Sequence, residues 1–216
     1  MSNEFLKRIL SSVFLIPIVF LIIINGSTIF NLFLLISFSI ILYEWHKLCK
    51  IKNLYYVGIL FLVFSFYTIY KLYNFNNNYL NFIFVIIICI STDIGGYVFG
   101  KLFKGPKLTS ISPKKTYSGA IGGYIFSITF VHIFFKQTFF FPEIKDIFLF
   151  TYIMVIFISS VSQLGDILIS YFKRLSKIKD TGKIIPGHGG LLDRADGMIF
   201  AFPFAYLVLL LNFKFF

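Results

Sequence analysis

Apolar runs close to bilayer length limit this chain more than any other feature of its sequence. A helix needs about 20 apolar residues to cross the hydrocarbon core of a membrane. Seven segments approach that length: Ile9–Ile24, Ser27–Tyr43, Leu54–Leu72, Tyr79–Gly100, Tyr117–Phe135, Asp146–Phe172 and Met198–Phe213. The expected fold class is all-α, a polytopic integral membrane bundle of about seven transmembrane helices, with Pro17 kinking the first. Hydrophobic residues make up 58% of the chain and charged ones 13%, against roughly 45–50% and about 25% in soluble domains, so a soluble core is excluded. The first segment follows a basic end, as in a signal peptide. It is long, runs at once into another span and lacks a small-residue cleavage site, so it is read as a retained helix. Residues 1–90 are expected to supply N-terminal transmembrane helices, and residues 91–216 one further unit with polar loops at 101–116 and 173–197.

A net charge of +11 would suit nucleic acid, but the basic residues sit at the ends of apolar runs and form no separate domain, so that partner is rejected. With seven spans, Lys71, Lys136, Lys145 and Lys214 fall on one face and the other sixteen of the twenty basic residues on the opposite one. Cytoplasmic loops carry such an excess, which puts the N-terminus and both long polar loops inside. Cys49 and Cys89 stand alone, with neither a disulfide framework nor metal-ligand spacing, and are read as packing residues.

Two acidic residues lie deep in apolar surroundings, Asp93 in "IIICISTDIGGYVFG" and Asp166 in "FISSVSQLGDILISYF". A carboxylate at bilayer depth is costly and marks a functional site unless it caps a helix or pairs with a lysine. Asp193 and Asp196 are three apart, so on a helix both leave from one face. Adjacent carboxylates repel unless a cation sits between them. Mg²⁺ suits such a pair, since it takes one or two carboxylates and leaves its other places to water and phosphate. Asp166 could complete that set. The plainer reading is a helix start favoured by the dipole.

Glycines and cations supply the rest. The stretch "PGHGG" has little side chain, so its amides can approach an anion. Lys173, Arg174, Lys179 and Lys183 surround it, and His188 could orient the loop, hold phosphate or move a proton. In the other loop, "SPKKTYSGAIGG" sets Lys114 and Lys115 before a glycine-rich helix; they either bind phosphate or anchor the membrane face. Acids for a metal, cations and bare backbone for phosphates, and a surrounding bilayer together suit phosphoryl or nucleotidyl transfer to a lipid.

The string "SYFKRLSKIKDTGKIIPGHGGLLDRAD", Ser170 to Asp196, resembles the hallmark of the phosphatidate cytidylyltransferases, also called CDP-diacylglycerol synthases. It joins Ser170, Lys173 and Arg174, the pair Lys179 and Asp180, the turn His188, Gly189 and Gly190, and the ending Asp193, Arg194 and Asp196, with gaps of the expected length. "QLGD", "STDIGGYVFGK" and "SPKKTYSGAIGG" are also similar to the family. Ala195 and Ile169 depart from it, standing where a larger residue and an acid are usual. The resemblance implies that CTP and phosphatidate give CDP-diacylglycerol and pyrophosphate for phospholipid synthesis. It implies Asp166, Asp193 and Asp196 as Mg²⁺ ligands, with room for a second cation. It further implies Lys173, Arg174, Lys179 and His188 on phosphates, and Asp93, Lys114 and Lys115 lining the same cavity. Ser170, Asp180, Gly189, Gly190 and Arg194 would bind substrate, and the protein would be a homodimer. The Phe, Ile, Asn and Lys bias points to an AT-rich bacterial genome, hence to the inner membrane, and the excess of basic residues on one face sets the site toward the cytoplasm.

Other classes remain open. A CTP-dependent lipid kinase of the polyprenol or phytol type would need similar parts. A CDP-alcohol phosphotransferase would carry an Asp-Gly, Ala-Arg, Gly, Asp, Asp array that this chain lacks. A cation-coupled transporter could use Asp93 and Asp166 as an ion path, but would be expected to show an internal repeat.

Overall fold

In a computed structural model of the protein, the residues described are 17–24, 26–49, 51–75, 79–136, 149–182, 184, 189–211 and 215. They are overwhelmingly helical. Residues 17–24 form a helical stretch, followed by α1 (Ser27–Leu48), α2 (Lys52–Tyr73), α3 (Leu80–Phe103), α4 (Tyr117–Lys136), α5 (Leu149–Leu175), α6 (Leu192–Ala195) and α7 (Met198–Leu210). An isolated bridge pairs Lys107 with Thr116.

Five helices, α1 to α5, are long and apolar enough to cross a membrane. They match five of the seven expected segments. Of the first segment only residues 17–24 are described, so the Pro17 kink lies at the edge of what the structure covers. The last segment is the 13-residue α7. Large apolar side chains such as Leu35, Val57, Leu60, Ile121 and Phe157 point outward from these helices. Water would penalise that arrangement, whereas lipid rewards it. The protein is an integral membrane protein. Cys49 and Cys89 are buried free thiols, as their isolation in the sequence suggested.

The chain divides into two compact units. The first comprises residues 1–70 and 172–196. In it, Phe38 on α1 meets Phe66 on α2 edge to face at 5.0 Å. Trp45 lies against Gly58, where any Cβ would collide with the indole. The indole N–H donates to the Tyr55 carbonyl at 3.2 Å, and its ring meets Phe172 edge to face at 5.2 Å. Ser176 donates to the Leu48 carbonyl. The end of α1 is thus a post to which the end of α5 is tied.

The second unit comprises residues 71–171 and 197–216. Its centre is the α3–α4 pair, which meets backbone to backbone along glycines. A Cβ on Gly95 would run into the Gly122 carbonyl, and one on Gly119 would lie 2.8 Å from the Gly96 carbonyl oxygen. Small residues allow this approach where the bilayer supplies no hydrophobic drive to bring helices together. Hydroxyls join α5 to the pair: Thr92 donates to Ser159 at 2.8 Å, and the Tyr124 and Ser160 hydroxyls pair at 2.9 Å. Phe82 stacks on Phe202 of α7 at 5.3 Å.

Candidate active site

In the second unit, the polar connection between α3 and α4 is a tight reversal. Lys104 and Gly105 take φ of 52° and 98°, turning the chain out of α3. The Leu108 amide donates to the Lys115 carbonyl at 2.8 Å, and the Tyr117 amide to the Pro106 carbonyl at 3.2 Å. Thr116 then caps α4 by accepting the Gly119 amide at 3.1 Å, as a threonine at a helix start is suited to do. Lys115 therefore stands immediately before the helix. Its Nζ lies 2.5 Å from Asp166 Oδ2 and donates to the Gln163 carbonyl at 3.3 Å. The other Asp166 oxygen, Oδ1, accepts the Ser170 hydroxyl at 3.3 Å. The structure thus brings Lys115, Asp166 and Ser170 together. Lys114, next in sequence, is exposed, and Asp93 sits on the exposed side of α3 near Ile90, Ile94 and Tyr97.

The two neighbouring lysines should part company on mutation. The Lys115 and Asp166 side chains are about a quarter exposed, 24% and 29%, so the pair is screened and Lys115→Ala should cost only about 1 kcal/mol. Lys114→Ala should leave stability unchanged. Thermal unfolding in detergent checks this, and equal midpoints for the two variants would contradict the ion pair.

In the first unit, the turn that closes the end of α5 passes through Lys177, whose φ is 56°. The Ile178 amide donates to the Lys173 carbonyl and the Lys177 amide to the Arg174 carbonyl, each at 3.0 Å. This is the Schellman closure, made here with a lysine where glycine is usual. It folds the following loop back along Lys173. The Lys173 Nζ lies 3.0 Å from Asp193 Oδ1 and 3.9 Å from Asp196 Oδ2, with all three side chains largely buried. The expected shared face of the two aspartates is present: Leu191, Asp196 and Gly197 all hold right-handed helical dihedrals around α6. Asp193 Oδ2 accepts the amides of Thr181 at 2.8 Å and Gly190 at 2.9 Å. Gly189 has φ of 88°, and a Cβ there would come 2.7 Å from the same oxygen. Arg174 is exposed and donates to the Ile178 carbonyl at 3.3 Å. Lys179, Asp180 and Arg194 are exposed around the loop. His188, Lys183 and most of "PGHGG" lie outside the described residues.

Sequence reasoning missed Glu44. The expected span stopped at Tyr43, which left Glu44 as a residue just beyond the membrane. In fact α1 continues to Leu48 and Glu44 is 1% exposed. Its carboxylate accepts the Thr181 hydroxyl at 3.0 Å and the Leu191 and Leu192 amides at 3.0 and 2.7 Å. The only available signal was a lone acid closing an apolar run in "IILYEWHKL".

Among the described residues, no group of three or more His, Cys, Asp or Glu side chains could hold a metal ion as placed. The Asp193–Asp196 pair nevertheless accommodates one cation, the Lys173 ammonium. Two hard carboxylates with substrate phosphates completing the shell are a donor set that Mg²⁺ accepts, so the residues fit that ion.

Residues 54–212 match the model of a family described as the cytidylyltransferase family. A protein of Rickettsia bellii named phosphatidate cytidylyltransferase is 33% identical over 96% of this chain and 91% of its own length. One of the same name from Staphylococcus haemolyticus is 36% identical over 82% of this chain and 68% of its own, and one from Bacillus subtilis 38% identical over 61% and 48%.

Proposed function

The chain belongs to the cytidylyltransferase family, and on that premise we propose that it transfers the cytidylyl group of CTP to phosphatidate, giving CDP-diacylglycerol and pyrophosphate for phospholipid synthesis. The observation that carries this reading is the Asp193 centre: two carboxylates around a buried lysine, bound through two backbone amides to a glycine-bearing loop. A phosphate oxygen of phosphatidate attacks the α-phosphorus of CTP. The bond from that phosphorus to the bridging oxygen breaks, and pyrophosphate leaves with the electron pair. The nucleophile is already anionic, so no serine or cysteine is needed, and the protein's task is to position and neutralise.

Lys173, Arg174 and Lys179 with His188, and Lys115 with Lys114, are the groups we assign to the phosphates. Gly189 and Gly190 are assigned to the phosphates on the family resemblance, the Gly190 amide here donating to Asp193 Oδ2. Ser170 and Lys173 follow Asp166 by four and seven positions, which puts them on one stripe of α5. Asp193 and Asp196 are proposed to hold Mg²⁺, with room for a second cation; the ion would neutralise charge on the transferring phosphates. Asp166, which the family resemblance names for the same ion, is here paired with Lys115. Asp93, Asp180 and Arg194 are retained as substrate contacts on the family resemblance alone.

We further propose about seven spans with the N-terminus inside, a bacterial inner-membrane location, a site facing the cytoplasm that supplies CTP, and a homodimer. The bias of basic residues supports the orientation. On that same face Lys47 covers the Tyr43 ring at 4.2 Å and Lys101 the Tyr97 ring at 5.8 Å, the placement of lysines reaching toward an interface.

The test is pyrophosphate release by the purified protein in phosphatidate-containing micelles. Release should require CTP, phosphatidate and Mg²⁺ together and stop when a chelator exceeds the ion. Release that continues without phosphatidate, or transport across liposomes with no CTP consumed, would contradict the reading.

A further inference from the structure

The strongest unassigned feature is the Glu44 carboxylate. It is almost fully buried near the end of α1, and the described residues offer it no ion pair. A buried carboxylate without a cation is expensive unless hydrogen bonds replace its water. Three donors do so here, and all three come from the loop between α5 and α7: the Thr181 hydroxyl and the Leu191 and Leu192 amides. The loop is shaped to receive it. A Cβ on either Gly182 or Gly190 would lie 2.5 Å from Glu44 Oε1.

The residues that touch Glu44 also hold Asp193. Thr181 gives its hydroxyl to Glu44 and its amide to Asp193 Oδ2. Gly190 packs against Glu44 and gives its amide to the same Asp193 oxygen. With Oδ2 fixed in this way, Oδ1 is left to meet Lys173. We propose that Glu44 is a positioning residue for cytidylyl transfer, holding the loop through Thr181, Leu191 and Leu192 so that the Asp193 carboxylate is set against Lys173. The inference rests on the reading given under Proposed function. It assigns a part in the chemistry to an N-terminal helix that carries none of the motif residues.

Glu44→Gln keeps the size of the side chain and turns one acceptor into a donor that faces donors. Hydrogen bonds to charged groups are worth enough that kcat should fall about tenfold to a hundredfold, with KM for CTP moving much less. Thr181→Val should show the same split, and Thr181→Ser, which keeps the hydroxyl, should restore turnover. Because the two groups act in series, the Glu44→Gln/Thr181→Val double variant should lose no more than the worse single. Without any substrate, amide exchange across 181–192 should speed at least tenfold in Glu44→Gln while the α3–α4 seam keeps its protection. If Glu44→Gln yields no folded protein, Thr181→Val alone carries the same kinetic and exchange tests.

Unchanged exchange across 181–192, or additive losses in the double variant, overturns the inference even with an active wild type. A wild type that releases no pyrophosphate from CTP and phosphatidate overturns the underlying reading, whatever the exchange shows.

Discussion

Asp193→Ala should abolish most turnover, by about a thousandfold or more, which corresponds to about 4 kcal/mol of lost transition-state stabilisation. The Asp193 carboxylate answers to three partners: Lys173 on Oδ1, and the Thr181 and Gly190 amides on Oδ2. Truncation removes the carboxylate proposed for the metal. It also unties the loop and leaves the Lys173 ammonium with Asp196 at 3.9 Å as its remaining ion pair. Breaking a buried pair by deleting one member is costly for that reason. Steady-state kinetics on protein shown to be folded by gel filtration checks this. Turnover within tenfold of wild type would remove Asp193 from the chemistry.

The second large effect lies far from that loop in sequence. Gly95→Ala should yield little folded protein, because the added methyl would press on the Gly122 carbonyl and come 2.7 Å from Phe126 Cβ. Overpacking typically costs about 1–3 kcal/mol, and a backbone obstacle cannot rotate away, so the upper end or beyond is expected. The neighbouring Gly96→Ala should be tolerated, since its methyl would meet the Gly119 carbonyl oxygen at an ordinary 3.7 Å. Detergent gel filtration and thermal midpoints separate the two. Equal behaviour would mean that the α3–α4 pair does not meet along this seam.

Much of this architecture could be read from the chain. Apolar length located α1 to α5, because lipid exacts a continuous run and permits little else. The i, i+3 spacing of Asp193 and Asp196 foretold a shared face, and a cation does sit against that face. The alternative weighed for Asp166, pairing with a lysine, is also realised, and the lysine is Lys115. Span ends were less legible. The expected span Ser27–Tyr43 stops one residue short of Glu44, whose donors lie 137 to 148 residues further on. Hydrogen bonds that distant leave no periodicity in the sequence. Lys173 was read as a phosphate cation, and its neutralisation of two carboxylates likewise depends on a Schellman turn that a lysine, rather than the usual glycine, closes.

The central claim is that the nucleotide's α-phosphorus, and not its γ-phosphorus, goes to the lipid. Purified protein, Mg²⁺ and phosphatidate should be given CTP labelled at one position or the other, and the organic phase counted. The account predicts that α-label enters the lipid and γ-label stays in water as pyrophosphate. Label from the γ-position in the lipid, with CDP released, would make the protein a CTP-dependent lipid kinase and contradict it.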